Sequence, residues 1–209
     1  MILEAIVTTV NSLGQVNLAP MGPVVHFDMT DESFPRKHDT HSGFRKDFSL
    51  KPFNTSRTYS NLTEIPYAVI HVTDDALLFA KAAVANLSVD EVMEGVRPLT
   101  GTSWWTMLDC HRWFAVEVFM EQHQGERASF ACSVIQSKTV RPWSGFNRAK
   151  HAVIEAAILA TRTHLLGKDD VVSQLERLQP LVDKTGGPDE HQGFDLLKAT
   201  IHDRYAQRE

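Results

Sequence analysis

Asn54-Thr55-Ser56-Arg57-Thr58-Tyr59-Ser60-Asn61 is the stretch around which the rest of the chain is organised. It gathers five hydroxyls, two amides and one guanidinium in eight residues, between the strand-like segments 47–53 and 66–72. Arginine offers a planar fork of donors that matches phosphate oxygens, and Ser and Thr hydroxyls add short hydrogen bonds. The stretch therefore reads as an anion clamp. On composition alone the simpler reading is a solvated loop with a capping Ser or Thr, because these residue types also collect in turns.

Composition narrows the field around it. A chain of 209 residues holds one large domain, or a domain with a helical appendage. The apolar fraction of 43% and charged fraction of 22% suit a well-packed globule. The formal charge is −5 with no basic stripe, which argues against nucleic acid as a partner. No apolar run approaches the roughly 20 residues of a membrane-spanning helix, so no membrane role is expected. Met1-Ile2-Leu3-Glu4 lacks a basic n-region, so no signal peptide is expected either. Cys110 and Cys132 are expected as free buried thiols in a reducing cytoplasm.

Outward from the polar stretch, residues 2–10 and 15–19 are predicted strands, joined by Asn11-Ser12-Leu13-Gly14 as a hairpin turn. The second strand runs into Asn17-Leu18-Ala19-Pro20-Met21-Gly22-Pro23. There the prolines remove ladder donors, and Gly22 lets a flat ligand approach the backbone. Residues 28–46 read as a charged surface loop. His38 and His41 stand there in His-x-x-His spacing, with no Cys or second cluster, and no metal site is expected. Residues 66–73 read as a buried strand, and Asp74-Asp75 caps a helix starting at Ala76. Segments 106–118 and 127–139 are predicted long strands with a turn at 122–126, and Trp113, Ala115 and Glu117 set against Phe114, Val116 and Val118 suit a sheet with one wetter face. From residue 148 the period becomes helical: 148–166 stopped by Gly167, then 169–178 broken by Pro180, then about 190–207. The expected fold is α+β, mainly β: a split β-barrel of about six antiparallel strands over residues 1–145. Residues 146–209 form a helical segment packed on it rather than an independent domain.

Three stretches suit one phosphorylated ligand: 17–22, 54–61 and Asn147-Arg148-Ala149-Lys150. The last opens the long helix, where the dipole and free N–H groups favour an anion; alone, it reads as a helix start with exposed basic residues. His71 is the only histidine inside a core-like strand. It is either a satisfied buried histidine or a weak catalytic candidate.

In this order, Asn17-Leu18-Ala19-Pro20-Met21-Gly22 and Ser56-Arg57-Thr58-Tyr59-Ser60-Asn61-Leu62 resemble the flavin-reductase-like branch of the FMN-binding split barrels. With residues 145–161 added, the chain is similar to an uncharacterised archaeal and bacterial family of FMN-binding split-barrel proteins, the likeness covering most of residues 1–166. The resemblance implies FMN as cofactor. Asn17, Ala19, Pro20, Met21 and Gly22 would line the ring. Ser56, Arg57 and Thr58 would hold the phosphate, with Asn61 nearby, and His71, Thr73 and Asp74 would reach the ring or a partner subunit. Asn147, Arg148 and Lys150 join this list from the helix start. It further implies a homodimer with FMN near the subunit interface. The activity implied is that of a flavin-dependent oxidoreductase exchanging electrons with a small organic, pterin-type or nicotinamide-type partner. The alternative is a flavin-binding carrier or sensor without turnover.

Overall fold

The computed structural model describes residues 1–29 and 45–208. His38, His41 and most of the charged loop lie outside them. In chain order the elements are β1 (Ala5–Val10), β2 (Val16–Met21), β3 (Val24–Val25), β4 (Phe48–Leu50), α1 (Arg57–Glu64) and β5 (Tyr67–Val72). There follow α2 (Ala76–Ala83), α3 (Val89–Gly95), β6 (Val96–Pro98), β7 (Trp105–Met107), β8 (Arg112–Gln124) and β9 (Arg127–Thr139). The chain ends in α4 (Arg148–Thr161), α5 (Lys168–Thr185) and α6 (Pro188–Ala206). Two compact units result: Met1–Thr73 with Val89–Pro142, and Asp74–Ser88 with Trp143–Glu209.

The first unit is a curled antiparallel sheet in the order β2-β1-β5-β8-β9-β4-β3, with β6 and β7 as a separate pair. Its central strands are β-branched and apolar, and all six residues of β1 are buried. Gly14, at φ 77°, closes the β1–β2 hairpin, while Asn11 Oδ1 accepts from the Leu13 and Gln15 N–H groups. The register sets Ala5 opposite Met21, Val7 opposite Ala19 and Thr9 opposite Asn17. Ala5, Val7, Phe48, Ile70, Phe114 and Phe130 pack together inside the curl. At its far side Ile2 bridges to Val24, Leu3 N–H donates to Pro23 O at 3.0 Å, and Val25 N–H donates to Met1 O at 2.8 Å. The β3 flank is thus seamed to the lead-in of β1, which gives the split barrel.

The seven strands of the main sheet, one of them the two-residue β3, agree with the split barrel of about six expected. Two details differ. The β8–β9 turn is tighter than 122–126, because Gly125 at φ 61° turns the chain and lets both strands extend to thirteen residues. The outer face is also drier than the alternation suggests. Trp113 and Ala115 are buried with Val69 and Cys110, packed against Leu99 and Trp104, and only Glu117 of that set is exposed.

In the second unit, small side chains at Ala76, Ala80, Ala149, Ala152, Ala156 and Ala160 let α2, α4 and α6 approach closely. Gly193 serves the same contact: a Cβ there would lie 3.3 Å from Ala80 Cβ and 3.4 Å from Val153 Cγ1. The predicted break at Pro180 does not occur, since α5 runs through it to Thr185. Proline's φ is helical, so the cost is one lost hydrogen bond and a local clash, and burial of Val171, Leu175 and Val182 holds the helix on both sides. α4 stops at Thr161, five residues short of the expected end, and Gly167 is instead the N-cap of α5.

Candidate functional site

The polar stretch is not a loop. Residues 57–64 form α1, because Ser56 Oγ accepts from Tyr59 N–H at 3.1 Å and Thr58, Asn61 and Leu62 recur at helical spacing on the buried face. The lead-in is pinned to the β8–β9 turn: Asn54 N–H donates to Glu126 O at 2.9 Å, and Asn54 Nδ2 donates to Gly125 O at 3.0 Å. Ser56 N–H and Oγ both donate to Phe53 O. After these bonds are counted, the N–H groups of Arg57 and Thr58 have no partner among the described residues, nor does the exposed Arg57 guanidinium. The first turn carries no acid. Two backbone donors, a guanidinium and the positive end of the helix dipole therefore share one helix start, an arrangement suited to a phosphate.

The helix is tied to the edge strand that carries the other motif. Asn17 Nδ2 on β2 donates to Thr58 Oγ1 at 3.2 Å. Ala19 and Met21 follow on the same face of β2, while Leu18 and Pro20 point to the opposite face. The β2 candidates form a line rather than a cluster, since Met21 lies roughly 13 Å beyond Asn17 at the usual strand rise. Gly22 belongs less to this line. The space a side chain would take there is filled by Ile2, whose Cγ2 would meet a Cβ at 2.9 Å, so its smallness serves packing.

Asn61 turns inward, its Nδ2 donating to Thr9 Oγ1 at 3.0 Å in a buried pair. Thr73 is buried just after β5. His71 is fully buried with both nitrogens engaged: Nδ1 donates to Ile6 O at 3.1 Å, and Nε2 accepts from Met107 N–H at 3.0 Å. An amide can only donate, so the ring is neutral with its proton on Nδ1. Burial lowers its pKa from 6.5 to about 4. That geometry removes His71 as an acid–base candidate and makes it a core histidine.

Asn147, Arg148 and Lys150 belong to the helical unit, and the helix start they form is largely satisfied from within it. Asn147 Oδ1 accepts from Ala149 N–H at 2.8 Å and Lys150 N–H at 3.2 Å, and Thr185 Oγ1 takes a second bond from Ala149 N–H. Lys150 Nζ is paired with Asp74 at 2.6 Å. Asn147 and Lys150 are thereby occupied as cap and ion pair. Only Arg148 remains exposed, with an open N–H.

Two residues near α1 escaped the sequence reading. Thr9 was hidden in an apolar strand, its one signal being a hydroxyl on the core face. His123 lies with Nε2 3.4 Å from Tyr59 Oη across β8, a contact that no local pattern announces. Among the described residues no group of three or more His, Cys, Asp or Glu is placed to hold a metal, and no helix is long and apolar enough to cross a membrane.

Comparison with solved structures places the fold. An FMN-bound protein from Methanosarcina mazei, itself matched to the family model DUF447, aligns with 95% of this chain and 94% of its own at 20% identity, with a TM-score of 0.74. A Shewanella frigidimarina protein described as a flavin reductase with a split barrel domain aligns with 66% of this chain and 68% of its own at 11% identity, with a TM-score of 0.50. Among curated proteins none matches the sequence. Residues 3–141 match the N-terminal domain of the protein of unknown function DUF447, and residues 147–199 match the model described simply as DUF447. The chain belongs to the DUF447 family.

Proposed function

We propose that the barrel unit binds FMN, with the phosphate at the start of α1 and the flavin laid along β2. The observation that carries this is the set of open donors at Arg57 and Thr58, on a helix bonded through Thr58 to Asn17. In this reading Ser56 shapes the turn, Arg57 and Thr58 bind the anion, and Asn17, Ala19, Pro20 and Met21 offer backbone and short side chains to the ring. Thr73, at the end of β5, is kept as a more distant contact. Family membership and the FMN-bound relative support the choice of ligand. FMN, once bound, supplies transfer of hydride or single electrons; the protein supplies anchoring, orientation and tuning of the potential.

The proposed activity is that of a flavin-dependent oxidoreductase working on a small organic, pterin-type or nicotinamide-type partner. The reducing cytoplasm is the proposed setting, with Cys110 and Cys132 as free buried thiols. The proposed assembly is a homodimer, in which exposed apolar residues of the long strands such as Phe119 and Ile135 offer surface to a second copy. Anaerobic mixing of the FMN-loaded protein with NADH, NADPH or reduced deazaflavin tests the activity. Bleaching of the yellow colour within seconds by one donor is expected, and persistent colour with all of them would leave a carrier or sensor. A purified chain that stays colourless after addition of FMN overturns the cofactor assignment.

A further inference from the structure

Thr9 and Asn61 share a hydrogen bond that direct binding of an anion does not explain. Thr9 is 1% and Asn61 7% exposed, and the Asn61 amide is spent on the Thr9 hydroxyl at 3.0 Å. Asn61 follows Thr58 by three residues, so both lie on the sheet-facing side of α1. On the sheet, Thr9 stands opposite Asn17. Two bonds of opposite sense consequently run side by side, Asn17 to Thr58 from sheet to helix and Asn61 to Thr9 from helix to sheet. An eight-residue helix is marginal on its own and takes its position from such ties and from the burial of Leu62.

We propose that Thr9 and Asn61 are positioning residues for the phosphate end of the flavin site. They hold α1 in the register at which Arg57 and Thr58 meet the anion, without touching it themselves. This rests on the FMN reading above. Hydrogen-bond strength falls steeply with misalignment, and ligand contacts must be held to about 0.5 Å by a supporting layer. A helix that slips on the sheet therefore loses the phosphate first. The ring, laid along β2, keeps its contacts, because β2 is held by the β1 ladder rather than by this pair.

Paired titrations with FMN and riboflavin test the assignment, since the two ligands differ only in the phosphate. Thr9→Val keeps the shape and removes the acceptor. The expected result is an FMN Kd raised about tenfold, near the worth of one good hydrogen bond, with riboflavin binding unchanged and Thr9→Ser restoring the wild-type preference. Equal weakening of both flavins, or unchanged FMN binding, overturns the proposal. Should Thr9→Val fail to fold, the double variant Thr9→Val with Asn61→Leu removes donor and acceptor together and strands no buried polar group. A wild-type preference for FMN in that variant also overturns it. Wild-type protein that binds neither flavin, or binds both equally, defeats the FMN reading itself, whereas wild-type protein that prefers FMN beside a Thr9→Val variant with the same preference defeats only the positioning role.

Discussion

The starts of α1 and α4 look alike in sequence and differ in the fold. Each pairs a capping polar residue with at least one basic residue in the first turn, Ser56-Arg57-Thr58 in one and Asn147-Arg148-Ala149-Lys150 in the other. At α4, Asn147 takes two N–H groups, Thr185 shares one of them, and Lys150 is neutralised by Asp74. At α1, Ser56 takes only the Tyr59 N–H, and the donors of Arg57 and Thr58 stay open. A helix start is an anion site only to the extent that the protein has not already filled it. Residue types announce the donors, but they do not announce the acceptors that three-dimensional packing brings.

That contrast can be broken or sharpened by experiment. Arg57→Ala has the largest expected effect on the ligand, a loss of about 1.5–3 kcal/mol of FMN affinity, as for a hydrogen bond to a charged group. Flavin fluorescence titration measures it, and wild-type affinity in the variant would put the phosphate elsewhere. His71 is the extreme of the saturated side, and its signature lies in stability. Its folded pKa sits below its unfolded one, so its contribution is full above pH 6.5 and is lost as the pH falls toward about 4. Between pH 7 and 5 the wild type should lose about 2 kcal/mol that His71→Gln keeps, from 1.36 kcal/mol per unit of proton linkage. Urea melts at the two pH values reveal whether the gap between the proteins narrows. Asn147→Ala should lower stability by about 1 kcal/mol, the usual worth of an N-cap, and leave the FMN dissociation constant where it was. Arg148→Ala is the smallest case, expected within about 0.5 kcal/mol of wild type in stability, as for an exposed residue without a partner, and neutral toward FMN. Weaker FMN binding in either α4 variant would restore that helix start to the site.

Much of the fold was legible because it rests on local chemistry. Gly14 and Asn11 spell a hairpin, Asp75 caps α2 by accepting from Leu78 N–H, and β5, β8 and β9 carry the β-branched and aromatic residues of buried strands. The character of α1 was hidden because Thr, Ser and Asn compete with the helical backbone for hydrogen bonds and lower its intrinsic propensity. Only the Ser56 cap and the burial of Thr58, Asn61 and Leu62 against the sheet overcome that. Pro180 misled in the opposite direction, since tertiary burial outweighed a strong local breaker. The candidate site could be read as a set of polar residue types but not as a division of labour. Nothing in the order of residues shows that Asn17 and Thr58 meet while Asn61 turns away to Thr9, or that Gly22 makes room for Ile2.

The seam between Met1–Leu3 and β3 has a bearing on how copies of this chain meet. With that flank stitched, β2 is the sheet's remaining open border among the described residues, and Pro20 interrupts its row of amide donors. A second molecule arriving there cannot extend the ladder without leaving a gap. The homodimer proposed above would then be built from side-chain surfaces, and strand-by-strand polymerisation is disfavoured at the same border.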